Sequence, residues 1–318
     1  MSKPLAVCIA GPTACGKTAA AVAVCRALSG EVISMDSMQI YRGMDIGTAK
    51  PDAAERGGIA HHMLDFLPPT AAYSAYQYQQ DASRVMEDIL SRGKLPVFAG
   101  GTGLYLQSVK HPLRFAMAQG NEALRQALNE QAQTPQGRQA LWQRLCRLDP
   151  QSAAGLHPND VRRVVRALEV LEATGESIRA GEEWEAPARQ DFLTFGLRWP
   201  RETLRGRINA RVDEMMRRGL VKEVRSLLEG GVPRQAQAMQ AIGYKEICRA
   251  LAGECTMDEA VEQIKIHSRQ YAKRQMTWLA RDGQIRWLDA DTFETPQALH
   301  GEIILQIQKY REDQENGL

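Results

Sequence analysis

The stretch that most constrains the fold is Gly11-Pro12-Thr13-Ala14-Cys15-Gly16-Lys17-Thr18, which fits the pattern G-x-x-x-x-G-K-[ST]. Before it, residues 5–10 (LAVCIA) form a short apolar run that reads as a buried parallel strand. After it, residues 18–28 are rich in alanine, contain no breaker and read as a helix. Strand, glycine-rich turn and helix in that order is the context in which the pattern becomes a phosphate cradle, a P-loop. Its glycines let backbone N–H groups approach an anion, and the helix N-terminus adds partial positive charge. Lys17 neutralises phosphate oxygens, and the Thr18 hydroxyl is placed to ligate Mg²⁺. Cys15 reads as a contributor of backbone rather than as a catalytic thiol.

Residues 31–35 (EVISM) and 95–99 (LPVFA) read as two further buried strands. The first ends in Asp36-Ser37 and the second in Gly100-Gly101-Thr102-Gly103. Residues 61–67 (HHMLDFL) read as another strand segment, 192–197 as a return strand and 285–288 as a short strand. Helical spacing fills residues 73–92, 201–229, 236–251 and 257–281, and the charged end of the chain reads as frayed. Strands alternating with helices imply a parallel sheet. From 121 to 174 Leu, Arg, Gln and Ala recur at helical spacing with no strand pattern. The expected fold is α/β: a P-loop parallel sheet flanked by helices, with an inserted helical subdomain. Residues 1–120 and 191–318 would form the core, the latter carrying basic C-terminal helices. Residues 121–190 would form the insertion and face RNA.

A chain of 318 residues is long enough for such a core and insertion. The formal net charge is only +2, so any nucleic-acid contact must come from local clusters. No apolar run approaches the roughly 18 residues of a membrane span, and the first residues lack a signal peptide's long apolar region. Six scattered cysteines with no C-x-x-C pair fit a reducing cytoplasm rather than zinc or disulfides. Adjacent His61 and His62 point to opposite faces of a strand and read as structural.

Most P-loop proteins bind ATP or GTP and work on the γ-phosphate, with a metal-holding acid on a neighbouring strand. Here residues 95–99 lead into Gly-Gly-Thr-Gly with no carboxylate, and the acid stands after residue 35, as Asp36.

Longer motifs follow in order: SMDSMQIYRGMDIGTAKP from Ser34, HHMLDFLPPTAAYSAYQYQQDA, VFAGGTGLYLQS, DVRRVVRALEV, RINARVDEMMRRGLVKEV, QAIGYKEI and SRQYAKRQMTWLAR. With GPTACGKT they closely resemble the tRNA dimethylallyltransferases (isopentenyltransferases) of bacterial type, across nearly the whole chain. That resemblance implies transfer of a dimethylallyl group from dimethylallyl diphosphate to N6 of adenine 37 in the anticodon loop of tRNA, with release of diphosphate. It implies tRNA and dimethylallyl diphosphate as partners, Mg²⁺ as cofactor, a monomer needing no protein partner, and a cytoplasmic location.

On this resemblance, the cradle of Gly11 to Thr18 takes the diphosphate, and Lys17 with Mg²⁺ at Thr18 stabilises the leaving group. Arg207 resembles the family's second cation on the diphosphate, and Arg211, one turn on, is the alternative. Thr102 would contact diphosphate or adenine. Asp36 is the expected general base, because the exocyclic amine is a weak nucleophile that must lose a proton; its competing role is a cap or ion-pair partner. Ser37, Met38 and Gln39 would meet the tRNA, Gln39 suiting the adenine edge. Further tRNA contacts are expected from Asp160, Val161, Arg162, Arg163 and Val164, and from Gln240, Ala241, Ile242, Gly243, Tyr244 and Lys245. Arg166, Lys265, Arg269, Lys273, Arg274 and Arg281 would extend the basic surface, with Tyr271 and Trp278 interleaved. The other readings are a P-loop small-molecule kinase using ATP, an RNA-binding NTPase, and a transferase acting on free adenine nucleotides.

Overall fold

A computed structural model describes residues 4–111, 122–178 and 190–316. The chain divides into two compact units, residues 1–110 with 189–318, and residues 111–188. In the first unit the apolar run forms β1 (Leu5–Ala10), and α1 (Lys17–Leu28) follows the glycine-rich loop. Next come β2 (Gly30–Met35), the short α2 (Ala53–Arg56), β3 (His61–His62), α3 (Ala75–Ser91), β4 (Leu95–Gly100) and α4 (Gly103–Lys110). Helices α5 (Glu122–Gln131), α6 (Pro135–Leu148), α7 (Pro150–Ala153) and α8 (Val161–Thr174) build the second unit around Leu128, Leu141, Leu145, Val164 and Leu168. The first unit resumes with β5 (Asp191–Arg198), α9 (Arg201–Arg218), α10 (Leu220–Glu229), α11 (Tyr244–Leu251), α12 (Met257–Leu279), β6 (Arg286–Asp289) and α13 (Pro296–Glu315).

The six strands pair in the order β3-β2-β4-β1-β5-β6, all parallel. Apolar cores lie on both faces of the sheet, as the unalternating apolar strands require. One face is packed by α1 and α13 through Ala20, Val24, Leu299, Ile303 and Ile307. The other carries α3, α4, α11 and α12 through residues such as Tyr78, Leu106, Ile247 and Ile264.

Four expectations change, one of them the helix read at 236–251, which begins only at Tyr244 after a short 3-10 turn at 238–240. The strand read at 61–67 stops after His62, because Met63 and Asp65 take φ of 58° and 57°, which no extended strand holds. The helix read at 201–229 is two helices, broken at Gly219 with φ 101°. The charged chain end is not frayed through its length. Helix α13 buries Leu299, Ile303 and Ile307, spaced by four on one face, and each such burial stabilises the docked helix by about 1.5–3 kcal/mol.

Candidate active site

Because all strands run the same way, the loops that follow β1, β2, β4 and β5 gather at one edge of the sheet, where open parallel sheets bind ligands. Register brings the strand ends level: Gly100 pairs with both Ala10 and Met35. A cavity of about 580 Å³ opens there. Its walls include Thr13 to Thr18, Asp36, Gln39, Ile46, Thr48 to Lys50, Gly101, Arg207, Arg211, Tyr271 and Gln275.

The loop after β1 needs its glycines at Gly11 and Gly16, whose φ values are 152° and 102°. Ala14 also sits in the left-handed region at φ 63°, a strain of about 1–2 kcal/mol for a residue with a side chain. Neighbours hold it there. The Arg207 Nε donates to the Ala14 carbonyl at 2.8 Å, and the Trp199 indole donates to the Cys15 carbonyl at 3.1 Å. Arg207 lies 4.6 Å over the Trp199 ring. Arg211 reaches the Thr13 hydroxyl at 3.4 Å. Burial lowers the proton affinity of the Arg211 guanidinium, and the charge of Asp36 opposes that effect. Both arginines line the cavity. Lys17 folds back on its own loop, donating to the Pro12 carbonyl at 2.5 Å with its ammonium 3.7 Å from the Cys15 sulfur. The Cys15 side chain is buried.

Gln275 joins two loops. Its Oε1 accepts from the Thr13 N–H at 2.9 Å, and its Nε2 donates to the Gly101 carbonyl at 2.9 Å. A Cβ on Gly101 would lie 2.0 Å from that Nε2, so a side chain there would push the bridge away. One turn before Gln275, the Tyr271 phenol is pushed up to about 12 by burial and then by the charge of Asp36.

Asp36 follows β2 directly. Its Oδ1 accepts the N–H groups of Met38 at 2.8 Å and Gln39 at 3.3 Å, so the loop fixes the carboxylate's direction. No helix starts there, so these bonds hold a turn rather than the helix cap that the sequence also allowed. Among the described residues no salt bridge reaches Asp36.

The site residues read from the sequence divide. Thr13 to Thr18, Asp36, Gln39, Arg207 and Arg211 line one cavity; Ser37, Met38 and Thr102 stand beside it rather than in its walls. Thr102 starts α4 with its carbonyl, and its buried hydroxyl, beside the Tyr271 phenol, meets no partner in hydrogen-bond geometry. The Gln39 amide is already committed, its Nε2 donating to the carbonyls of Thr48 and Ala49 at 3.2 Å each.

Several side chains expected at the RNA make contacts within the protein. Tyr244 is fully buried and donates to Glu223 at 2.6 Å; Ala241 and Val164 are buried apolar residues. Gly243 donates its N–H to Glu246 Oε2, and Gln240 donates to the Arg234 carbonyl. Arg166 and Arg125 neutralise the buried Glu169. Lys265 pairs with Asp213 at 2.7 Å, and Arg269 donates to Asn209. The Trp278 ring packs against Gly103. Arg162 and Arg163 are exposed, Arg163 pairing with Asp160 at 3.2 Å, and Lys273, Arg274 and Arg281 are exposed in the first unit. His61 and His62 are structural, bonding the Ile59 carbonyl and Glu31. Sequence reading missed Trp199, Gln275 and Glu223. All three act through contacts nearly two hundred residues away or more, and only the position of Gln275 and Glu223 inside the longer motifs hinted at a role.

Two family models match the chain: IPP transferase over residues 39–282 and Isopentenyl transferase over residues 5–66. A tRNA dimethylallyltransferase of Geobacillus thermodenitrificans is 47% identical over 89% of this chain and 90% of its own length. Among solved structures, a tRNA isopentenylpyrophosphate transferase of Staphylococcus epidermidis superposes with a TM-score of 0.72 at 42% identity, over 96% of this chain and 100% of that one. A eukaryotic dimethylallyltransferase described acting on tRNA reaches 0.77 at 30% identity, over 90% of this chain and 74% of that one. With most of its length matched by the family model, and high identity to such relatives across nearly all of it, the chain belongs to the IPP transferase family.

Proposed function

We propose that this protein transfers the dimethylallyl group of dimethylallyl diphosphate to N6 of adenine 37 in the anticodon loop of tRNA, releasing diphosphate. One observation carries the reading: one cavity is lined by the glycine-rich loop, by Arg207 and Arg211, and by the backbone-oriented carboxylate of Asp36. The names of the relatives and the eukaryotic structure acting on tRNA support the substrate pair. The kinase and NTPase readings are not favoured, since no acid follows β4 to hold a metal for γ-phosphate chemistry.

In this mechanism the N6 lone pair attacks C1 of the dimethylallyl group as the C–O bond to diphosphate breaks. Asp36 takes the N6 proton on the oxygen that the backbone leaves free. The leaving charge is met by the N–H groups of the loop, by Arg207 and Arg211, and by Lys17 once it turns from the Pro12 carbonyl. Thr102, beside the cavity and next to the Tyr271 phenol, is proposed to support the substrate side of the site through Tyr271. Among the described residues no three His, Cys, Asp or Glu side chains form a metal site. Mg²⁺, which keeps water and phosphate oxygens as ligands, would be held by the protein through the Thr18 hydroxyl. When bound, Mg²⁺ supplies further charge to the departing diphosphate. Exposed arginines and lysines, Arg162, Arg163, Lys273, Arg274 and Arg281, are proposed to contact tRNA phosphates.

The test incubates the protein with Mg²⁺, labelled dimethylallyl diphosphate and an unmodified tRNA with adenine at position 37, beside a parallel reaction with ATP. Label on N6 of that adenine is expected. No label, with phosphate released from ATP, would overturn the proposal.

A further inference from the structure

Residues 44–50 form a tight loop whose side facing the cavity includes Ile46, Thr48, Ala49 and Lys50. Three successive N–H groups of this loop converge on one carboxylate. Asp45 and Ile46 donate to Glu223 Oε2 at 2.9 and 2.8 Å, and Gly47 donates to Oε1 at 3.1 Å. The Tyr244 phenol adds a fourth bond to Oε1 at 2.6 Å. Such converging N–H groups form an anion-binding nest, and bonds to a charged acceptor are about twice as strong as neutral ones. The ring of Tyr244 lies so close that a Cβ on Gly47 would be 2.4 Å from it. The opposite side of the loop is held by Gln39, whose Nε2 binds the Thr48 and Ala49 carbonyls while its N–H binds Asp36.

We propose that Glu223, braced by Tyr244, is a positioning residue for the transfer: it fixes loop 44–50, the loop fixes Gln39, and Gln39 fixes the Asp36 carboxylate. This rests on the reading of Asp36 as the base. Glu223 and Tyr244 are absent from the cavity walls, so their effect travels through the loop. Glu223→Gln keeps the shape but turns an amide N–H₂ toward a backbone N–H, which breaks the nest on one side. The cradle for diphosphate keeps its own supports, Trp199, Arg207 and Gln275.

Single-turnover label transfer with excess enzyme tests this, together with affinities for dimethylallyl diphosphate and tRNA. Glu223→Gln is expected to slow transfer by about 10²-fold, the scale of a 1 Å misplacement, and to leave both affinities within about twofold. Tyr244→Phe is expected to slow it by about fivefold. In Glu223→Gln with Gln39→Ala, the losses are expected not to multiply, because both act on one relay. Losses that multiply, an unchanged rate, or reduced tRNA affinity in place of a reduced rate would overturn the inference. If Glu223→Gln loses its thermal transition, Tyr244→Phe with Gln39→Ala makes the same cycle. A wild-type protein that transfers no label would strike the proposed function itself, a distinct result.

Discussion

Glu31 and Asp36 stand at the two ends of β2, and the protein treats these carboxylates in opposite ways. Glu31 is buried and surrounded: the Arg92 guanidinium grips both oxygens, Lys94 reaches Oε1 at 2.7 Å and His62 reaches Oε2 at 2.7 Å. Asp36 receives two backbone N–H bonds on one oxygen and lines a cavity. Saturation by counterions makes Glu31 a bolt between β2, β3 and the end of α3. Asp36 is restrained by its own loop and, among the described residues, takes part in no salt bridge. Residue type alone says nothing of this; the partners supplied by distant segments decide it.

The comparison breaks if the two residues exchange effects. Asp36→Asn is expected to cut transfer by about 10²–10⁴-fold while leaving the thermal midpoint in place. Lys17→Ala, which removes cationic stabilisation of the leaving group, is expected to cost about 10²–10³-fold in rate. Glu31→Gln is expected to do the reverse of Asp36→Asn. It should lower unfolding stability in urea by about 1–3 kcal/mol, since Arg92 and Lys94 can still reach water, with the transfer rate nearly unchanged. The pH dependence sharpens the same contrast. Arg92 first, then Lys94 and His62, hold the Glu31 carboxyl well below its ordinary value of 4.5. A depressed folded value means this stabilisation is complete above 4.5 and is lost as pH falls from there toward the lower folded value. Urea midpoints from pH 6 down to pH 3 should therefore fall in the wild type and fall less steeply in Glu31→Gln. The smallest effect expected is for Trp199→Phe, which removes one bond to the Cys15 carbonyl and should weaken dimethylallyl diphosphate binding by about 0.5–1.5 kcal/mol in calorimetry.

Much of this was legible in the sequence. LAVCIA, EVISM and LPVFA announced buried parallel strands because short apolar runs between turn residues have few other destinations. The parallel α/β architecture with a helical region between 121 and 174 follows from them. GPTACGKT marked the turn between β1 and α1, since its glycines stand where the backbone turns positive in φ. Other features were hidden. Helix α13 escaped notice because only its four-residue spacing of Leu299, Ile303 and Ile307 betrays a buried face among many charges. Tyr244 and Val164 were read as surface contacts because motif position does not reveal burial. Among the arginines and lysines, those spent on Glu169 and Asp213 look the same in one dimension as those left exposed. Glu223 and Gln275 owe their roles to loops far away in the chain.

The most direct test of the account is a single-turnover measurement of dimethylallyl transfer to tRNA by wild type, Asp36→Asn and Glu31→Gln, with both substrates saturating and their affinities measured separately. The account predicts that Asp36→Asn binds both substrates and fails in the transfer step, while Glu31→Gln transfers at close to the wild-type rate. Wild-type transfer by Asp36→Asn, or a comparable loss from Glu31→Gln without unfolding, would contradict it.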